Sequence, residues 1–215
     1  MDSTNKDLNN RVDIICFVLD ESGSMGKYYR QTIDGFNEYM SEVRSDDSES
    51  LLRLVSFNSH KLNVAYDFEN IAAVSELGPG QYRTRGRTPL LDAVGESICE
   101  TDEFLSNHEK EVNQVFFTIM TDGYENASVE YDIGTIRKMI SERQDKDWIF
   151  NFLGGDQNVE KTGGRLGISK GNRYAYDARN PKEAFMAGSK GILRAKRLNR
   201  RGVDLKGFFT GANTR

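Results

Sequence analysis

Three apolar runs, each followed directly by a short polar loop, constrain the fold of this chain most. Residues 12–19 (VDIICFVL), 114–121 (QVFFTIMT) and 148–153 (WIFNFL) are nearly continuous in apolar, largely β-branched or aromatic side chains. Such runs are typical of strands buried on both faces, which occur in parallel sheets covered by helices. The loops that follow them read DESGSM, DGYEN and GGDQN.

The segments between these strands carry a helical period. Apolar side chains recur at three- and four-residue steps over 28–44, 88–107 and 131–143, a short helical piece is expected near 157–166, and Pro181 opens a helix to about 198. In the second helix, Thr88 stands at an N-cap position and Pro89 at the first helical position. Three shorter strands are expected at 51–57, 61–66 and 173–177, the first two forming a hairpin around Asn58-Ser59-His60.

This alternation predicts an α/β domain. We expect a Rossmann-like, doubly wound, mostly parallel sheet with one antiparallel edge strand and helices on both faces. A chain of 215 residues suits one such core. The predicted organisation is a flexible N-terminal segment at 1–11, the domain at 12–195 and a basic C-terminal tail at 196–215.

Charge is distributed unevenly along the chain. Residues 179–215 contain ten Lys or Arg against two Asp or Glu, which leaves residues 1–178 with 19 basic and 31 acidic side chains, a net charge of −12.

No run approaches the roughly 20 apolar residues of a membrane span, and residues 1–11 lack an apolar signal-peptide core. We therefore expect a cytoplasmic protein without membrane contact.

Oxygen-bearing side chains gather where the buried strands end. In α/β sheets, ligands bind at the carboxyl ends of the strands. Asp20, Ser22 and Ser24 alternate after the first strand, Thr88 precedes a helix, and Asp122 follows a later strand. Two carboxylates and three hydroxyls form an all-oxygen set, which suits a hard divalent cation such as Mg²⁺. Mn²⁺ and Ca²⁺ are the alternatives.

This pattern resembles the von Willebrand factor type A domain. The Asp-x-Ser-x-Ser motif at residues 20–24, Thr88 and the Thr-Asp-Gly at residues 121–123 match the three motifs of its metal-ion-dependent adhesion site (MIDAS). The resemblance spans about 12–195 and is nearest to small stand-alone cytoplasmic domains of bacteria and their phages. It implies a non-enzymatic protein-binding module, in which an Asp or Glu of a partner completes the coordination of the metal.

Charged side chains flank the predicted metal site and are candidates for partner binding. Glu21, Glu125 and Asp156 are either solvated loop carboxylates or contribute to the choice of ligand. Arg85 and Arg87, with Arg83, either neutralise this acidic rim or contact an anionic partner. The sequence does not separate these alternatives.

Two other function classes remain. A metal-dependent phosphohydrolase is the less favoured one, because an Asp-x-Asp motif would need a carboxylate at Ser22, and the chain has neither a P-loop nor a nucleophile elbow. The other is a nucleic-acid-associated scaffold that uses the basic C-terminal region. Its basic residues at helical spacing form either a nucleic-acid-binding stripe or a solvated helix end; they are Lys190, Arg194, Arg197 and Arg201.

Overall fold

The described chain is built on one mixed sheet. The computed structural model describes residues 11–155, 159–177, 179–203 and 205, and within them it contains six strands in the order β3-β2-β1-β4-β5-β6. All neighbours pair in parallel except β2 and β3, which form the antiparallel hairpin at the sheet edge. The strands are β1 Arg11–Asp20, β2 Ser50–Asn58, β3 Lys61–Asn70, β4 Glu111–Thr121, β5 Ile149–Gly155 and β6 Arg173–Tyr176. The predicted fold class is confirmed.

Helices cover both faces of the sheet. The four α-helices of the described residues are α1 Tyr29–Arg44, α2 Leu90–Asn107, α3 Ile133–Gln144 and α4 Pro181–Asn199. A 3₁₀ helix at Gly23–Tyr28 leads into α1, a short π-helix spans Val159–Gly163, and a short 3₁₀ helix spans Lys170–Asn172. No helix of the described residues is long and apolar enough to cross a membrane.

Two apolar layers lie on opposite sides of the sheet because successive strand residues point to opposite faces. Ile15 and Phe17 of β1 pack with α1 and α4, where Phe17 contacts the rings of Phe36 and Phe185. Ile14 and Val18 pack on the other side, in the layer that includes α2 and α3. The uninterrupted apolar sequence of β1 is thus explained by burial on both faces.

The sheet register brings the ends of β1, β4 and β5 to one edge. Leu19 pairs with Met120, and Thr121 pairs with Gly154, so all three strands end at nearly the same level. The loops that begin at Asp20 and Asp122 are therefore neighbours, although about one hundred residues separate them.

The C-terminal boundary predicted between residues 195 and 196 lies inside α4 and is corrected by the packing of that helix. Lys196 is 2% exposed, and its Nζ lies 3.1 Å from Oδ2 of Asp13, which is equally buried. Arg200 forms two hydrogen bonds of 2.7 Å with Asp46. Leu205 packs against the α1–α4 layer. The folded unit therefore includes these residues, whereas residues 1–10 and 206–215 lie outside the described part.

Candidate metal centre

Asp20 anchors the first loop of the site. Its carboxylate has no exposed surface; Oδ1 accepts a hydrogen bond of 2.7 Å from Ser22 N, and Oδ2 accepts one of 2.6 Å from Thr121 Oγ1. The bond to Ser22 N is an Asx turn, a local geometry that Asp favours. It reverses the chain directly after β1 and fixes the position of Ser22.

The two serines connect this loop to Asp122. Ser22 Oγ lies 3.1 Å from Ser24 Oγ, and Ser24 Oγ donates a hydrogen bond of 2.7 Å to Asp122 Oδ1. Ser22 is buried, whereas Ser24 is exposed. The cluster therefore has a buried floor and a side open to solvent.

Thr88 completes the cluster around Gly123. A Cβ built on Gly123 would lie 3.1 Å from Thr88 Oγ1 and 3.6 Å from both Asp20 Oδ2 and Ser24 Oγ. Oxygens from the loop after β1 and from Thr88 thus lie close together beside Gly123, and Asp122 joins them through its hydrogen bond with Ser24. The chemistry of this donor set fits a hard divalent cation.

Thr88 is held by a remote residue and does not cap the helix. Its backbone N–H donates to Asn126 Oδ1 at 2.9 Å, and Asn126 N donates to Thr88 O at 3.2 Å. The helix α2 begins at Leu90, with Pro89 at the N-cap position and no side-chain capping bond. The expectation that Thr88 is the N-cap is therefore wrong, and its hydroxyl is available to the site.

Burial perturbs both carboxyl groups. Removal from water raises the pKa of Asp20 from 3.8 to about 6 and also raises the pKa of Asp122, against the hydrogen bond from Ser24 and the charge of Lys27. A bound cation would favour the charged forms. The described residues contain no group of three or more His, Cys, Asp or Glu placed to hold a metal, so a metal here depends on hydroxyls as well as carboxylates.

Glu21, predicted to contact a partner, has a different position. It has no exposed surface, and its carboxylate accepts hydrogen bonds from Asn58 Nδ2 at 3.1 Å and from the backbone N–H of Arg83. Its own backbone O accepts from Arg85 N at 2.9 Å. Glu21 is thus buried, and it holds the loop of residues 83–87 beside the candidate metal site.

Glu125 is partly exposed, and its carboxylate holds the loop that follows β4. Its carboxylate accepts hydrogen bonds of 3.0 Å from Leu91 N and of 2.8 Å from both Ala127 N and Ser128 N. It therefore ties the loop after β4 to the first turn of α2. Asp156 lies outside the described residues.

The predicted arginines lie on the surface beside the site. Arg83, Arg85 and Arg87 are exposed, and no carboxylate of the described residues lies within ion-pair distance of them. They therefore do not neutralise the acidic rim through direct ion pairs with described residues.

Sequence reasoning missed three residues that position the site. Thr121 holds Asp20, Asn126 holds Thr88, and Tyr82 donates a hydrogen bond of 2.6 Å from its hydroxyl to the backbone O of Asp20. Thr121 was recognised only as part of the Thr-Asp-Gly motif, and its hydrogen bond to Asp20 was not predicted. Tyr82 and Asn126 act across 62 and 38 residues and left no local signal.

Solved structures with similar folds identify the architecture. Proximal thread matrix protein 1 from the mussel byssus matches with a TM-score of 0.60 and 14% identity, over 84% of this chain and 46% of that one. A von Willebrand factor type A structure from Catenulispora acidiphila gives 0.56 and 13%, over 85% and 42%. The fold is that of a von Willebrand factor type A domain. Manganese-loaded TRAP protein of Plasmodium vivax gives 0.55 and 16%, over 85% of this chain and 74% of that one.

These likenesses concern the fold, since the identities are low. One structure of the mussel protein, with a TM-score of 0.58 and 13% identity over 86% of this chain and 46% of that one, is described as having a zinc-occupied MIDAS motif. No family model matches the chain. Among curated proteins, endonuclease MutS2 of Alkaliphilus oremlandii is 31% identical over 108 residues, which are 47% of this chain and 13% of that protein. The chain thus spans a small part of that relative and less than half of the mussel protein.

Proposed function

We propose that this chain is a metal-dependent protein-binding module with a complete MIDAS. Ser22, Ser24 and Thr88 would hold a divalent cation, with Asp20 and Asp122 binding it directly or through water. The observation that carries the proposal is the convergence of these side chains, from three segments distant in sequence, beside Gly123. Capping and turn formation act locally and do not account for such convergence.

Mg²⁺ is the cation that we propose, with Mn²⁺ and Ca²⁺ as alternatives. Two carboxylates and three hydroxyls form a hard, all-oxygen donor set. One structural neighbour has zinc in its MIDAS motif, and another is loaded with manganese. When bound, such an ion supplies a positive centre that attracts a further oxygen ligand.

The proposed ligand is an Asp or Glu side chain of a protein partner. Ionised Asp20 and Asp122 would balance the charge of a divalent ion, and the three hydroxyls would add donors without charge. Five side chains leave one position of an octahedral shell to water, and an oxygen of the partner carboxylate would replace that water. Arg85 and Arg87 remain proposed partner contacts, as does Asp156, whereas Glu21 and Glu125 are proposed to position the loops.

The proposed setting is the one expected from the sequence: a stand-alone cytoplasmic module of a bacterium or phage, without enzymatic activity. Hydrolysis of a generic phosphomonoester in the presence of Mg²⁺ tests the proposed absence of enzymatic activity. We expect no more hydrolysis with the protein than in buffer alone. Hydrolysis by the wild type that is lost in Asp20→Ala would favour a phosphohydrolase.

The second candidate function is nucleic-acid association. Its support is the exposure of the basic stripe along α4 and just beyond it; its members are Lys190, Arg194, Arg197 and Arg201. If protein binding is the only function, a variant with all four residues changed to Gln should bind DNA and RNA at low salt no differently from the wild type. A loss of such binding, with the steep salt dependence of phosphate contacts, would establish this alternative.

The main experiment uses the full chain as bait with Mg²⁺ or EDTA. We expect a partner that is retained with Mg²⁺ and lost with EDTA or with Asp122→Ala. Asp145→Ala is the matched control, because Asp145 is exposed at the end of α3, near the start of β5, whereas the site lies at the opposite end of that strand. Replacement of one acidic residue on the partner should reproduce the loss. Equal capture in EDTA would refute the proposal.

A further inference from the structure

A groove lies beside the proposed metal site, between strand β3 and the segment 80–85. We call it the β3 groove; it has a volume of about 270 Å³ and is lined by Lys61, Asn63, Val64, Gln81, Arg83 and Arg85, with Ala65, Gly80 and Glu21. Strand β3 is the outermost strand of the sheet, paired only with β2 among the described strands. The groove is therefore open to an approaching chain.

The β3 groove carries positive charge that no described group pairs. Lys61, Arg83 and Arg85 are exposed, and the described residues place no carboxylate at ion-pair distance from them. Within the described residues, Lys61 Nζ donates only to Asn63 Oδ1, at 3.1 Å. The one acidic lining residue, Glu21, is fully buried and already accepts two hydrogen bonds. An anion would therefore be attracted, although residues 1–178 carry a net charge of −12.

The groove and the proposed metal site share a wall. Arg85 N donates to Glu21 O at 2.9 Å, and Gly23 N donates to Gly86 O at 3.1 Å, so the segment 83–87 is bound to the loop that carries Ser22 and Ser24. Arg85 and Thr88 are three residues apart, which limits their Cα separation to about 11 Å. One short extended segment is long enough to reach both places.

We propose that the β3 groove binds a second carboxylate of the partner segment whose first carboxylate binds the metal. The ligand class is thus an acidic peptide segment with two Asp or Glu side chains about two to four residues apart. This inference rests on the proposed function. An acidic peptide is favoured over a nucleic acid because no described lining residue of the groove is aromatic, and bases usually stack on aromatic side chains.

The test uses a fluorescein-labelled hexaglutamate peptide and the full chain, measured by fluorescence anisotropy with Mg²⁺ and with EDTA. The Arg83→Gln/Arg85→Gln variant should bind the peptide about fivefold more weakly in both conditions, because two exposed charge contacts are lost. The side chains of both arginines make no hydrogen bond within the described residues, so this variant should fold normally. Lys138→Gln/Lys146→Gln removes the same charge elsewhere on the surface and should leave affinity within about twofold of the wild type.

Asp122→Ala separates this inference from the proposed function. It should remove the gain in affinity that Mg²⁺ gives and leave the effect of the arginine variant intact. An arginine effect without any Mg²⁺ gain would support the groove and refute the metal proposal. Three results would overturn the groove: no hexaglutamate binding, equal binding by the wild type and the arginine variant, or tighter binding of a single-stranded oligonucleotide that is lost in the arginine variant.

Discussion

Gly123→Ala is predicted to abolish metal binding and leave the fold intact. The new methyl group would lie 3.1 Å from Thr88 Oγ1 and 3.6 Å from Asp20 Oδ2 and Ser24 Oγ, so it would crowd three of the oxygens that we assign to the cation. The backbone of Gly123 is not in the left-handed region, so alanine is tolerated there. The closest contact requires only a small shift of the Thr88 hydroxyl. We expect the metal-free melting temperature to change by about 2 °C or less.

The magnitude follows from linkage. A metal at about one hundred times its Kd stabilises the folded state by about 2.7 kcal/mol. For 215 residues, the unfolding entropy is about 0.45 kcal/mol/K, so the melting temperature should rise by about 6 °C. In Gly123→Ala this rise should vanish.

The assay is thermal unfolding of the wild type and the variant with and without Mg²⁺. Gly80→Ala is the control, because a Cβ at Gly80 meets no atom within 4 Å. It should keep the full rise. If Gly123→Ala also keeps the rise, the metal does not lie among these oxygens and the site assignment is refuted.

Three further predictions concern stability, the site threonine and pH. Lys196→Met should lower the free energy of unfolding by about 3–5 kcal/mol in denaturant titrations, because it leaves Asp13 buried without its cation; a loss below about 1 kcal/mol would show that the pair is unimportant. Thr88→Ala should remove the metal-induced rise in melting temperature at a metal-free cost below about 1 kcal/mol, since Thr88 makes no capping bond; a normal rise would exclude it as a ligand. The rise should also be smaller at pH 5 than at pH 7.5, because a pKa of about 6 leaves Asp20 mostly protonated at pH 5, and the proton reduces metal affinity about tenfold. An equal metal-induced rise in melting temperature at both pH values would exclude Asp20 as a ligand. Without metal, the effect of pH on stability has the opposite sign. The folded state favours the neutral carboxyl of Asp20, so the contribution of this group to the free energy of unfolding falls as pH rises from about 4 to 6.

The core strands could be predicted because burial on both faces leaves a direct record in the sequence. β1 and β5 have almost continuous apolar runs, and both were located within two residues of their observed ends. Strand β3 was predicted to end at residue 66 and extends to Asn70. Its register shifts, and Phe68 adopts a positive φ of 52°, so its alternation is irregular. The ends of such irregular edge strands therefore cannot be located from the alternation of apolar and polar residues.

The candidate ligands could be named from the sequence, and they remain a prediction, whereas the residues that hold them in place could not be named. Asp20, Ser22 and Ser24 form a local motif, whereas Glu21 was taken for a surface carboxylate because its partners Asn58 and Arg83 are distant in sequence. Lys196 did leave a signal that was missed. It follows Ile192 by four residues and therefore lies on the buried stripe of α4.

The most direct test of the central claim is a Mn²⁺ titration of the full chain followed by electron paramagnetic resonance. We predict one saturable Mn²⁺ per chain, displaced by Mg²⁺ and lost in the Asp20→Ala/Asp122→Ala variant that remains folded. Absence of saturable Mn²⁺ binding in the wild type, or binding undiminished in that variant, would contradict the assignment of these residues as a metal site.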